Sequence, residues 1–395
     1  MTMKYRQLGP KGPVVSALGF GCMRFPTAGG RIDRRQSKAM LYKAIDSGVN
    51  YLDTAYPYHG GESETLIADV VVGRRRENVI IADKMPLWLV ETASDLDKYF
   101  DEQRQRLKSD TIDVYHLHAL NAERWEKMKK VGAPDWLARK KEEGDIRYAG
   151  FSFHDDYPAF ESIVNGWDWD VCQIQYNFMD VDEQAGTKGL RLAYSKGIGV
   201  VVMEPLQGGN LATPPRTVQA IWDRSAVPDR SPVERALRWV WNQAEVGLVL
   251  SGMSVMEHVE ENLRVASEAA IGELDAAELA LYEEVQAAYI SLKAIGCTAC
   301  EYCMPCPEGV DIPSNFRAYN QAATYGNMEG ARGQYARMKD LFDRGLSETD
   351  TRGINCISCG TCEPKCPQGL QIGDLMPEVA AVLGGTKTLD QALIS

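Results

Sequence analysis

Eight of the ten cysteines fall between residues 297 and 366, while the first 296 residues hold only Cys22 and Cys172. A secreted protein held by disulfides spreads its bridges along the chain, so this crowding marks a small, metal-dependent module towards the C-terminal end. Cys297, Cys300, Cys303 and Cys306 are separated by two residues at each step, with Pro307 next. Cys356, Cys359 and Cys362 keep that spacing; Cys366 follows after three more residues, again with a proline behind it. Zinc also uses pairs of cysteines two residues apart, but three at successive short spacing followed by Cys-Pro fit an iron–sulfur cluster better. Cys22 and Cys172, alone in the larger part, are expected to be small buried apolar residues.

The second run is the bacterial ferredoxin pattern for a [4Fe–4S] cluster; the first is one residue short before its last cysteine. In two-cluster ferredoxins the fourth cysteine of each run ligates the other cluster. That rule groups Cys297, Cys300 and Cys303 with Cys366, and Cys356, Cys359 and Cys362 with Cys306, implying two [4Fe–4S] clusters. Between the runs, helical patterns cover 314–325 and 329–344. A compact ferredoxin has shorter spacing and strands, whereas this tail resembles the helical ferredoxins that serve as electron-transfer modules in larger oxidoreductases.

With 395 residues the chain exceeds one comfortable core, so a large domain, 1–290, and a small one, 291–395, are expected. In the first, apolar β-branched runs alternate with amphipathic helical stretches. Strands are predicted at 16–21, 50–54, 79–84, 112–118, 147–152, 171–175, 199–203 and 247–251. Helices are predicted at 35–47, 62–73, 94–108, 135–143, 157–165, 183–195, 232–244 and 256–269. Eight β-then-α units in about 250 residues suit a (β/α)₈ barrel. The rival, a doubly wound sheet, carries a Gly-rich fingerprint after its first strand, and Gly19-Phe20-Gly21 continues without it. The opening segment is then expected to form a hairpin plugging the barrel floor.

Catalysis in such barrels gathers at the C-terminal ends of the strands. Asp53, Lys84 and His118 end three successive predicted strands, and Tyr58 follows in the loop after Asp53. These four suit proton delivery to a carbonyl oxygen. A free tyrosine titrates near ~10, too high for efficient acid–base work at neutral pH, and Lys84, held by Asp53, is expected to lower it. His118 is expected to position the substrate oxygen.

The segment Asp53-Thr54-Ala55 through Tyr58, with Lys84 and the run Asp113 to His118, resembles the signature of the aldo-keto reductases. His118 stands five past Asp113 as that pattern asks, leaving His116 as a core or neighbouring residue. The resemblance covers about residues 3–290 and implies NADP or NAD as cofactor. It puts Ser152 and Gln173 at the carboxamide, and Met203 and Leu206 on the loop carrying the stacking face and pyrophosphate contacts. Gly252, Ser254, His258, Glu261 and Asn262 fall at the adenosine end. Phe153 and His154 replace the asparagine that commonly follows the serine. Gly252 and His258 stand where NADP-preferring members often carry Lys and Arg, which weakens the case for NADP over NAD; Arg264 is a possible substitute cation. A barrel with such a tail resembles iron–sulfur aldo-keto reductases of anaerobic prokaryotes, implying oxygen sensitivity.

The resemblance therefore implies carbonyl–alcohol interconversion, with clusters passing electrons to or from a partner. Nicotinamide moves two electrons as hydride while each cluster takes one, a mismatch that a flavin normally bridges. The sequence shows no flavin motif, so a partner would carry it, and a ferredoxin or flavoprotein is the expected redox partner. Structural clusters, a redox sensor, or a barrel that has lost nicotinamide remain alternatives. A net charge of −12 argues against nucleic acid and anionic membranes. The longest basic block, Arg74-Arg75-Arg76, is expected on a solvated loop. No apolar stretch follows the first charges and none is long enough to span a bilayer, so a cytoplasmic location is expected. Substrate loops vary most; Trp88, Trp125, Trp167 and Trp169 are candidates for an apolar pocket wall.

Overall fold

The structure, a computed structural model, describes residues 2–71 and 74–392, with Arg74 and Arg75 by backbone alone. By contacts the chain forms two compact units: Met1–Gly208 with Arg230–Asp275, and Gly209–Asp229 with Ala276–Ser395. No described helix is long and apolar enough to cross a membrane.

The first unit is built on a closed barrel of eight strands. They are β1 (Leu18–Gly21), β2 (Tyr51–Asp53), β3 (Ile80–Met85), β4 (Ile112–Leu120), β5 (Ile146–Phe153), β6 (Val171–Gln175), β7 (Gly199–Met203) and β8 (Val246–Ser251). Each pairs in parallel with its chain neighbours, and β8 closes on β1. This is the predicted barrel, because β-branched runs buried on both faces suit parallel strands covered by helices.

The floor is plugged as expected. Tyr5–Gln7 pairs antiparallel with Val14–Ser16, and Leu8, in the connection between them, joins Tyr51, Val114, Val201 and Leu248 in the barrel core. Glycines at two strand starts make room: a Cβ on Gly199 would stand 2.6 Å from Leu8 O, and one on Gly247 2.6 Å from Leu8 Cδ1.

Several local expectations change. Helix Gly186–Ser195 begins later than 183 because Gln184 and Gly186 are left-handed, with φ of 55° and 53°. Helix Ala122–Val131, unforeseen, is capped by the Asn121 side chain, which accepts from Arg124 N at 2.7 Å. Arg74–Glu77 form a helical turn rather than a loop. Arg76 pins it, donating to Val79 O and Thr111 O and pairing with Asp113 at 2.8 Å; the side chains of Arg74 and Arg75 lie outside the described residues.

The second unit holds helices Ala276–Ser291, Ile312–Tyr325, Met328–Asp343 and Ile372–Leu383, the last three around a core that includes Phe316, Tyr319, Met376 and Val379. The two middle helices match the patterns at 314–325 and 329–344, capped by Asp311 and Asn327. The first and last were not foreseen.

Candidate active site and cysteine hollows

Asp53 ends β2 and Lys84 is next to last in β3, so parallel pairing carries both to one mouth. Lys84 Nζ donates to Asp53 Oδ1 at 2.7 Å and to Thr54 O at 2.6 Å. The same ammonium lies 5.2 Å from the centroid of the half-buried Tyr58 ring. After Tyr58 the backbone turns left-handed through His59, Gly60 and Gly61, with φ of 52°, 64° and 89°, and leads straight into helix Glu62–Val70.

His118 owes its place to a bulge. The β4–β5 register runs Leu117 to Phe151 and then Leu120 to Phe153, leaving His118 and Ala119 opposite the single residue Ser152. Ala119 takes φ 49° and donates its N–H to Ser152 Oγ at 2.8 Å. Bulges of this kind re-aim a side chain beside an active site. The His118 ring meets Tyr58 edge-on at 6.1 Å and Trp88 at 5.3 Å. His116, two residues earlier, is wholly buried in the core.

Burial governs the charges here. It pushes Asp53 above its ordinary range, with Lys84 pulling the other way. Burial disfavours the Lys84 ammonium, but Asp53 and Tyr58 outweigh it and raise Lys84. His118 is pushed well below its ordinary value by burial and then by Lys84, so it is a neutral imidazole. Tyr58 corrects the expectation from sequence. Lys84 does pull it down, yet burial dominates and the phenol ends above its ordinary value. The phenol is therefore held protonated at neutral pH, available as a proton donor but, in the free protein, a weaker acid than an ordinary tyrosine.

The rim of β5 to β8 carries the residues assigned to a dinucleotide. Ser152 and Gln173 stand opposite each other in the β5–β6 register and are buried. Gln173 Nε2 contacts Met203 Sδ at 3.5 Å, while its Oε1 has no partner among the described residues. Asn262 donates to Ser251 Oγ at 2.7 Å, and its Oδ1 is likewise buried and unpartnered. Two orphaned amide oxygens are costly unless a ligand meets them, and both would accept from amide or amino groups of a nicotinamide dinucleotide. Leu206 is half-buried and Gly252 exposed. At the surface Ser254 Oγ faces His258 Nδ1 at 3.4 Å, and Glu261 accepts from Ser231 Oγ at 2.5 Å. Arg264 is engaged by Glu234 at 2.5 Å and Glu268 at 3.4 Å, so it is not a spare cation.

Of the four candidate tryptophans, Trp88 alone among the described contacts meets a mouth residue, His118. Trp125 and Trp169 are buried against each other, 5.6 Å between centroids, and Trp167 packs on Trp169 at 4.8 Å. Period alone could not tell which face of its element each ring would occupy.

In the second unit the cysteines line two hollows. One carries Cys306, Cys356, Cys359 and Cys362; the other carries Cys297, Cys300, Cys303 and Cys366. Each groups three cysteines of one run with the last of the other. Ile312 and Ile372 line both hollows. A repeat in the sequence accompanies the exchange: Cys306-Pro-x-Gly309-x-x-Ile312 recurs as Cys366-Pro-x-Gly369-x-x-Ile372. Gly309 and Gly369 both take positive φ, 71° and 63°. Ahead of them, Ala299 N and Ser358 N each donate to the cysteine two residues before, at 3.4 Å to Sγ. Sulfur-rich hollows with amides turned to sulfur fit iron–sulfur clusters, whose potentials depend on such bonds.

Residues 17–286 match the model of the aldo/keto reductase family, and residues 296–370 that of the 4Fe-4S dicluster domain. The chain is 26% identical to the uncharacterized oxidoreductase YqkF of Bacillus subtilis, over 67% of this chain and 92% of that one. It is 27% identical to the L-galactose dehydrogenase of Arabidopsis thaliana, over 67% and 89%. Among solved structures, the holo form of aldo-keto reductase AKR11C1 from Bacillus halodurans superposes with a TM-score of 0.61 at 26% identity, over 72% of this chain and 96% of that one. Barrel, mouth residues and family match agree over the same stretch, and the chain is an oxidoreductase belonging to the aldo/keto reductase family, followed by a 4Fe-4S domain.

Proposed function

We propose that the barrel interconverts a carbonyl compound and an alcohol with NAD(P)(H), and that the tail holds two [4Fe–4S] clusters relaying electrons to or from a partner. The observation that carries the first part is Lys84, sealed between Asp53 Oδ1 at 2.7 Å and the Tyr58 ring at 5.2 Å. Bound nicotinamide supplies the hydride in reduction and takes it in oxidation. Tyr58 gives its hydroxyl proton to the carbonyl oxygen. The Lys84 ammonium, kept charged by Asp53, steadies the negative charge left on the phenol oxygen. Neutral His118 orients the carbonyl oxygen by hydrogen bonding without competing as an acid. The Ser152 hydroxyl, accepting from Ala119 N, keeps its own proton to donate towards the carboxamide, and Gln173 Oε1 accepts from it.

Phenylalanine at position 58 tests this directly: Tyr58→Phe should lower turnover by about 10²- to 10⁴-fold and leave nicotinamide binding intact. Unchanged turnover ends the proposal.

The two cysteine sets would hold the clusters, which exchange single electrons. Hydride carries a pair, so a flavin on a partner protein would have to split it into single electrons for the clusters, and a flavoprotein completes the path. The two isoleucines common to both hollows support cluster-to-cluster relay. Anaerobic titration with NADPH and then NADH, followed by cluster absorbance and electron paramagnetic resonance, tests the connection. Cluster reduction without substrate supports one shared electron path within the chain; no reduction with nucleotide bound favours clusters that are structural, sensory or wired to a partner that is absent from the assay.

A further inference from the structure

The position of Arg24 explains a glycine. A Cβ on Gly252 would come within 2.8 Å of Arg24 Cδ and 3.1 Å of its Cγ, so the arginine stem fills the space a side chain there would need. The other end of the side chain lies over the loop after β7. Arg24 Nη2 is 3.2 Å from the Cβ position of Gly208 and 3.7 Å from Glu204 Oε1. That ion pair is longer than a hydrogen bond and its side chains are 47% and 35% exposed, so Glu204 holds the guanidinium loosely.

Arg24 thus spans the loops after β7 and β8. On one side of those loops lies β6 with Gln173 Oε1, on the other helix Met256–Glu268 with Asn262 Oδ1; both oxygens are buried and unpartnered among the described residues. A dinucleotide has the matching pattern: an amide-bearing ring at one end, an amino-bearing ring at the other, and a doubly charged diphosphate between them.

We propose that Arg24 grips the diphosphate of the bound dinucleotide, and that Glu204 is the resting partner which the diphosphate displaces. Gly252 is required to be small because the arginine passes over it. The proposal rests on the nicotinamide reading above.

The test is equilibrium binding of NADH, NADPH and ADP-ribose to the full chain, by calorimetry. Arg24→Ala should weaken all three by about 10- to 100-fold, the loss of charge-assisted hydrogen bonds, with Arg24→Lys intermediate. Glu204→Gln should tighten all three, and the gain should vanish in Arg24→Ala/Glu204→Gln. Unchanged binding in Arg24→Ala overturns the proposal, as does a loss confined to NADPH, which would put Arg24 on the 2′-phosphate. Wild-type protein that binds none of the three overturns the nicotinamide reading and this proposal together.

Discussion

Lys84 Nζ lies 2.7 Å from Asp53 Oδ1, and the two side chains are only 1% and 4% exposed. A buried pair of this kind adds little stability when intact, but removing one partner strands a charge in the core. In the proposed reaction the pair acts on Tyr58, whose ring centroid lies 5.2 Å from the ammonium.

Lys84→Met should therefore cost about 3–5 kcal/mol of stability as well as activity. Lys84→Met/Asp53→Leu should regain most of the stability and none of the activity. Denaturant melts and turnover of both variants decide the matter; a double variant no more stable than the single one would mean that Asp53 does not depend on Lys84.

The pH profile follows from burial. Reduction needs neutral His118 and protonated Tyr58. His118 sits well below its ordinary value and Tyr58 above its own, so kcat/KM for reduction should stay level between ~6.5 and ~10, the unshifted values. Oxidation needs the phenolate as base and should rise with pH across that span. A fall in the reductive rate near neutrality would remove Tyr58 as the acid.

Buried Asp83, the neighbour of Lys84 in β3, accepts from Lys84 N at 2.8 Å, and the charge of Glu64 acts on it. Burial pushes Asp83 well above its ordinary value and Glu64 up as well. A carboxyl raised in the folded state favours folding fully below its unfolded value, ~3.9 for Asp, and that contribution is lost as pH rises towards the folded value. Asp83→Asn has no proton to lose there. Urea melts from acid to alkaline pH should show a flatter stability profile and a gain at the alkaline end; a profile parallel to wild type would mean that burial does not raise Asp83.

Gly150 is small for packing, not for its backbone angle. A Cβ there would meet Val171 O at 2.5 Å and His116 Nδ1 at 2.7 Å. Gly150→Ala should cost about 1–3 kcal/mol, and adding His116→Ala should recover only part, because the carbonyl cannot move aside. Thermal melts measure both steps, and full recovery would mean that the ring alone sets the limit.

Iron content tests the crossed cysteine sets. Wild type should carry about eight iron atoms per chain, four per cluster. Cys366→Ser with Cys300→Ser should lose one cluster, since both line one hollow, whereas Cys366→Ser with Cys359→Ser should lose both. Equal losses in the two double variants would dissolve the grouping.

Much of this was legible in the chain. Strands 171–175 and 199–203 are legible to the residue, because short apolar segments with valine or isoleucine between helical stretches suit little else. Asp53, Lys84 and His118 were locatable at strand ends, and parallel pairing then leads their strands to one mouth. Helix Ile372–Leu383 escaped because Pro377 interrupts its pattern, and the Cys-Pro-x-Gly-x-x-Ile repeat was present but unread.

By itself the sequence determined the alternation that closes a barrel, the four polar residues at its mouth and the cysteine spacing, since these are local properties of residue type and period. The tertiary structure alone decided the left-handed bulge at Ala119 that aims His118, the burial that outweighs Lys84 at Tyr58, and the passage of Arg24 across Gly252. Each depends on which distant segments exclude water or occupy the same space, and no spacing along the chain records that.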